Sequence, residues 1–165
     1  MNINIIPAGF NISKKQFNNY GIIFLLIICF ASFQSVIAQN QNKIDSMELV
    51  LKNVKKDTSK IIILNAISKE NIDQCNYADA SKFAFDALDL AEKKGFKKGM
   101  AVSYHQIGTV YLYLSDYSKA LENEQKSLTI NEQSGNKEGI AGNYHNLARV
   151  YCYLFDSKNA LEYEQ

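Results

Sequence analysis

The chain reads as an all-α protein built from repeated helical hairpins, and three observations predict it. A shift of 40 residues lays 101–125 over 141–165 with 13 of 25 positions identical, and an internal period of that size marks stacked repeats. Within the period the apolar residues Tyr104, Ile107, Tyr111 and Leu114 recur at helical spacing. The composition, 47% apolar with one proline in 165 residues, supplies a core and leaves helices almost unbroken. A formal net charge of +1 excludes an intrinsically disordered chain and gives no basic excess for nucleic acid.

The first segment, 1–38, is expected to be an address rather than part of the fold. Lys14 and Lys15 precede an apolar run over 21–30, and Val36 and Ala38 offer side chains suited to signal peptidase. Cleavage is expected after Ala38, which predicts a periplasmic or secreted protein. An uncleaved membrane anchor over 20–38 is the alternative, although Ser32, Gln34 and Ser35 dilute its second half. Lipid attachment at Cys29 is disfavoured by the bulky Ile28 before it. Removing the leader takes away two lysines and no acids, so neither DNA nor anionic lipid has an electrostatic handle. Only Cys75 and Cys152 then remain. They stand almost two repeats apart, too far for a disulfide between stacked units, and are read as free, partly buried thiols.

Residues 39–60 are a linker and a preliminary helix over 44–51, which would cover the open face of the first unit. Asp57, Thr58 and Ser59 supply a cap for the next helix. The repeats occupy 61–165 as units 61–100, 101–140 and a truncated 141–165. Unit one has diverged most, yet Tyr77, Ala80, Leu88, Glu92, Gly95 and Gly99 correspond to Tyr117, Ala120, Leu128, Glu132, Gly135 and Gly139. In unit two the first helix ends before Ser115 and Asp116, which cap the second. That second helix carries Ala120, Leu121, Leu128 and Ile130 and stops near Gly135. Small residues at 108, 120, 148 and 160 let paired helices approach closely. In unit three the chain ends inside the second helix, leaving apolar surface uncapped. The chain is therefore read as a piece of a longer protein.

Tyr104-x2-Ile107-Gly108-x2-Tyr111 followed by Ala120, and Tyr144-x2-Leu147-Ala148-x2-Tyr151 followed by Ala160, resemble the tetratricopeptide pattern W-x2-L-G-x2-Y…A. The resemblance covers about 61–165. Tyrosine replaces the first aromatic, and Glu124 and Glu164 replace the aromatic of the second helix. No proline closes the unit, and the period is 40 rather than 34. The six extra residues are assigned to a longer second helix and connector. The resemblance implies a right-handed α-solenoid of stacked antiparallel helix pairs whose first helices line a concave groove for a protein or peptide. It is also similar to repeat regions of exported bacterial sensory proteins.

On the expected groove stripe stand His105, Thr109 and Tyr113, then His145, Arg149 and Tyr153, with Asn65, Lys69 and Asp73 in unit one. Lys69, Arg149 and the tyrosines suit a peptide bearing carboxylates. The family's lysine–asparagine carboxylate clamp is not reproduced, because Thr109 stands where asparagine is expected. His105 and His145 are the only histidines. No recurring carboxylate or cysteine is visible beside them, so neither a metal site nor a catalytic centre is expected. The 95–99 stretch, with Gly95 and Gly99 flanking two lysines, lacks the GxxxxGK[ST] pattern and is read as a turn. Tyr111 and Tyr151 are expected in the core.

The sequence thus predicts an exported, non-catalytic scaffold that binds a peptide in a groove, with no cofactor. The alternative is the sensory input region of a longer membrane-bound signalling protein, a histidine kinase or a transcriptional regulator. Self-association through the uncapped C-terminal end is a further possibility, and membrane contact would come only through an uncleaved leader.

Overall fold

The computed structural model describes residues 42–163 together with Ile28 and Phe30. The expected leader otherwise lies outside the described residues. Six helices and no strand occur among them: α1 over 42–53, α2 (Asp57–Asp73), α3 (Tyr77–Lys94), α4 (Lys97–Tyr113), α5 (Tyr117–Ser134) and α6 (Lys137–Tyr163). The preliminary helix is present as expected. It buries Ile44 and ties Lys43 to Glu70 of α2 through an ion pair.

The helices end as their sequences dictate. Gly95 and Gly135 take left-handed φ values of 63° and 67° at the ends of α3 and α5. The next residue reaches back, Phe96 N–H to the Ala91 carbonyl and Asn136 N–H to that of Asn131, both at 2.9 Å. This closure satisfies carbonyls that a helix end leaves bare. Cys75 and Ser115 do the same after α2 and α4 at φ 59° and 61°, without a glycine's freedom. Asp116 caps α5 as expected, accepting the Lys119 N–H at 3.2 Å while its carboxylate also pairs with the Lys119 ammonium. That side-chain hydrogen bond, ahead of the backbone one, holds the Asp116 carboxyl below the usual range.

Four expectations need correction here. The cap of α2 is absent: Asp57 lies inside the first turn, Lys56 makes no side-chain cap, and the Asp57 carboxylate instead meets Lys94 of α3 at 2.7 Å. The extra length of the 40-residue period goes into both helices, 17 residues in α4 and 18 in α5, while the connector shrinks to Gly135 and Asn136. Cys75 and Cys152 are free but exposed. In unit three no turn separates the helices, for α6 runs on over 27 residues. Phe155 occupies the position where Cys75 and Ser115 adopt a left-handed conformation. A bulky aromatic there resists that backbone, and continuing the helix avoids it.

Packing follows the hairpins. Leu88 and Ala84 of α3 meet Ile107 of α4, with Met100, Tyr104 and Tyr111 around them. Ala120 of α5 meets Leu112 of α4 and Val150 of α6. Tyr104 buries its ring and donates its hydroxyl to Glu92 at 2.7 Å. Tyr151, expected in the core, is instead 55% exposed, for no helix among the described residues covers α6 as α5 covers α4. Adjacent first helices touch, α2 with α4 and α4 with α6, whereas α3 and α5 make no contact. The first helices are therefore the tighter layer, the inner side of a helical repeat solenoid.

The left-handed positions set a pair of opposite effects. Gly135→Ala is expected to lower, and Ser115→Gly to raise, the unfolding free energy by about 1 kcal/mol each. Urea unfolding of the two variants checks both signs.

Candidate functional site

The site grows from the start of α4. The turn at Gly95 and Phe96 brings the first turn of α4 so close to α2 that a Cβ at Gly99 would lie 2.6 Å from the Phe96 ring and 2.7 Å from Ile61. Lys98 and Val102 consequently face outward on the first-helix layer, next to Ile62 of α2. Between α2 and α4 lies a cleft of about 310 Å³, walled mainly by Ile62, Phe96 and Val102 with Lys98 at its edge. A second cleft, of about 430 Å³, adjoins it between α4 and α6 and is lined by Lys98, Val102, His105, Asn131, Asn136 and Glu138, among others. Lys98 and Val102 border both. The first is apolar, the second polar.

The polar cleft rests on a buried network. Glu124 of α5 is completely buried. One of its oxygens lies 2.9 Å from His105 Nδ1 and takes the Asn143 amide at 2.7 Å. The other takes the Asn146 amide, also at 2.7 Å. Asn143 is fixed in turn by Asn131, which donates to its Oδ1 at 2.8 Å. Asn146 also donates to Thr109, whose hydroxyl donates to the His105 carbonyl, both at 2.8 Å. Two amides already donate to the carboxylate, so Nδ1 of His105 joins them as a third donor and its Nε2 is left for other partners. Gly142 stands beside that ring, where a Cβ would sit 3.8 Å from Nε2. Gly108 makes room for the carboxylate, since a Cβ there would come within 2.9 Å of Glu124 Oε1.

The structure splits the expected stripe. His105 and Thr109 belong to the network. Tyr113 stacks on Tyr77 at 5.2 Å between centroids, and the Arg149 guanidinium sits 5.0 Å from the Tyr113 ring centre. Tyr153 stacks on Tyr117 at 5.4 Å. These three form the turn-side edge of the layer, away from the clefts. Lys69 is tied to Asp73 at 2.6 Å, and His145 is exposed on α6.

Sequence reasoning missed two residues. The expectation that no carboxylate stands beside the histidines fails at His105, which meets Glu124, 19 residues on, while Glu164 at the same interval from His145 lies outside the described residues. The pairing crosses a hairpin, so spacing along one helix does not reveal it. Its signal was a glutamate where the family pattern has an aromatic. Lys98 falls in the 95–99 stretch expected as a turn, whereas α4 begins at Lys97 and places Lys98 in its first turn.

The repeat, the paired helices and the inner layer of first helices converge on one family, and residues 99–165 match the family model of the tetratricopeptide repeat. Residues 99–165 are thus similar to the tetratricopeptide repeat family. Among curated proteins and among solved structures, none matches it. Tetratricopeptide repeats are generally protein-interaction scaffolds and typically non-catalytic. Among the described residues, no group of three or more His, Cys, Asp or Glu is placed to hold a metal ion, and no helix is long and apolar enough to cross a membrane.

Gly108→Ala tests how closely Glu124 is fitted. The added methyl must displace a buried carboxylate with three partners, and the expected loss is about 1–3 kcal/mol in unfolding free energy. Ala101→Gly in the same helix, where the residue is buried but carries no such partner, separates this from the general effect of altering α4.

Proposed function

We propose that the chain is an exported, non-catalytic scaffold of the tetratricopeptide family that binds an extended peptide across the first-helix layer, over α2, α4 and α6. The observation that supports this reading is the pair of adjoining clefts that share Lys98 and Val102. A peptide lying over them would place an apolar side chain against Ile62, Phe96 and Val102, and a polar or acidic one near Lys98 and His105. Lys98 has no ion-pair partner among the described residues, whereas Lys69 is engaged by Asp73 and Arg149 by the Tyr113 ring. An unpaired ammonium at the border of an apolar cleft favours an apolar residue next to a carboxylate.

Fluorescence polarisation with labelled Gly/Ser peptides containing Leu-Glu, Leu-Gln or Leu-Lys tests the reading. Leu-Glu is expected to bind tightest. Val102→Asp and Lys98→Glu should each weaken it by about tenfold or more, while Lys93→Ala on α3, outside both clefts, leaves it unchanged. Equal binding of the three peptides, or no effect of either cleft variant, rejects the assignment.

The lysine-led apolar segment over 14–38 supports export. Expressed with its leader in a Gram-negative host, the protein is expected in the periplasmic fraction with Gln39 as its N-terminal residue. A full-length N-terminus in the membrane fraction would instead mean an anchor.

A further inference from the structure

We infer that Glu124 is a positioning residue for His105, and that the pair makes peptide binding on this face proton-linked, with a carboxylate of the peptide received by Nε2–H of His105. The inference rests on the peptide-binding reading above and gives the polar cleft a defined chemistry.

Its starting point is an unusual burial. Glu124 is wholly enclosed, and His105 is the only basic side chain that pairs with it among the described residues. A buried carboxylate is costly unless hydrogen bonds and a counter-charge compensate it. Asn143 and Asn146 supply two of the hydrogen bonds, one to each oxygen. Asn131 holds Asn143 by its carbonyl oxygen, so the Asn143 amide nitrogen must face the carboxylate. With donors on both oxygens, Glu124 accepts the Nδ1 proton of His105 and fixes the tautomer of the ring. A second proton can then enter only at Nε2.

That atom lies on the cleft side. The His105 side chain is 36% exposed, against none for Glu124. The residue facing the ring from α6 is Gly142, where the equivalent positions of α2 and α4 carry Ile62 and Val102. The charged groups around the ring are Glu124 from α5, Lys98 from α4 and Glu138 from the first turn of α6. Lys98 draws a peptide carboxylate into the cleft. Once there, the carboxylate faces a ring that can meet it as a donor only by taking up a proton at Nε2. Binding and protonation therefore promote each other, as linkage requires.

The device differs between units. In the first, Ala84 stands where Glu124 does and Asn65 where His105 does. Asn65 there accepts from Ser103 and has no charged partner. Only the junction of α4, α5 and α6 pairs a buried acid with a half-exposed histidine among the described residues.

Two measurements test the inference. Nitrogen-15 NMR of the imidazoles in the free protein is expected to show neutral His105 protonated on Nδ1, and His145 in the Nε2–H form common in water. Glu124→Gln, which keeps the size of the side chain, should return His105 to that common form, and Glu124→Asp should restore part of the Nδ1 preference. An Nε2–H tautomer for wild-type His105 overturns the positioning role whatever the peptides do. Circular dichroism confirms that each variant remains helical.

The second measurement is the affinity for the Leu-Glu peptide, its Leu-Gln counterpart and a peptide ending in a free Leu carboxylate, between pH 5.5 and 8. Leu-Glu or free-Leu binding should weaken by up to about tenfold per pH unit as the linked proton is lost. Preference between those two identifies a side-chain or a terminal carboxylate as the source. His105→Gln preserves a donor to Glu124 yet cannot take the second proton, so its affinity should be flat with pH. If carboxylate peptides bind wild type with flat affinity, the groove reading stands and the proton linkage falls. If no peptide binds at any pH, both fall.

Discussion

The contact on which this arrangement depends is the grip of His105, Asn143 and Asn146 on the Glu124 carboxylate. It joins three helices at one point: α5 gives the acid, α4 the imidazole and α6 the two amides. Apolar packing brings the helices together but is tolerant of small slides, since Ala80, Ala84, Ala120 and Val150 present few features to interlock. A charged group with directional partners is not tolerant. Displacing α6 by an ångström or two would strand Glu124 in the interior with its amides out of reach, and a buried charge that loses its partners is among the most destabilising of changes. The network therefore sets the register of the third unit on the second more sharply than the hydrophobic contacts do.

Polar burial of this kind runs through the inner layer. Asn65, Ser68, Asn71, Ser103 and Gln106 of the first helices are buried, as are Ser127 and Asn131 of α5, and most are bonded across helices. Ser68 donates to the Ala80 carbonyl and Ser127 to that of Ala101, both at 2.8 Å. Gln106 donates to the Asn65 carbonyl at 2.9 Å, while its own oxygen has no partner among the described residues. Small side chains in this layer let first helices meet their neighbours directly, which the second helices do not.

Much of the fold was legible because its determinants are local. Glycines at 95 and 135, Asp116 at a helix start and the 3.6-residue spacing of Tyr104, Ile107 and Tyr111 each act within a turn or two of their own position. What escaped depends on partners distant along the chain. Asp57 lies one residue inside α2 rather than at its cap, and its carboxylate pairs with Lys94 of another helix. Glu124 and His105 meet across a hairpin, and nothing in helical spacing joins positions 19 apart. Tyr151 follows the core pattern faithfully yet is exposed, because burial belongs to the neighbour rather than to the residue. The stripe of His105, Thr109, Tyr113, His145, Arg149 and Tyr153 lies along the first helices α4 and α6. Side-chain reach then divided it, sending Tyr113, Arg149 and Tyr153 into ring contacts at one end.

That division explains where a ligand can sit. At the turn-side edge Tyr113 and Tyr153 stack on Tyr77 and Tyr117, and Arg149 lies over Tyr113. Much of their surface is already committed to neighbours, which stiffens the turns between paired helices. At the opposite edge the helices begin. Gly99 and Gly139 lie in the first turns of α4 and α6, packed too tightly against neighbouring side chains to accept a Cβ. Small residues there leave space above them, and the two clefts occupy it. The starts of α4 and α6 also carry the partial positive charge of helix N-termini, which reinforces Lys98 and offsets Glu138. One edge of the inner layer is thus closed by aromatic stacking and the other opened by glycine. The ring of His105, braced from behind by Glu124, is the group that the open edge presents.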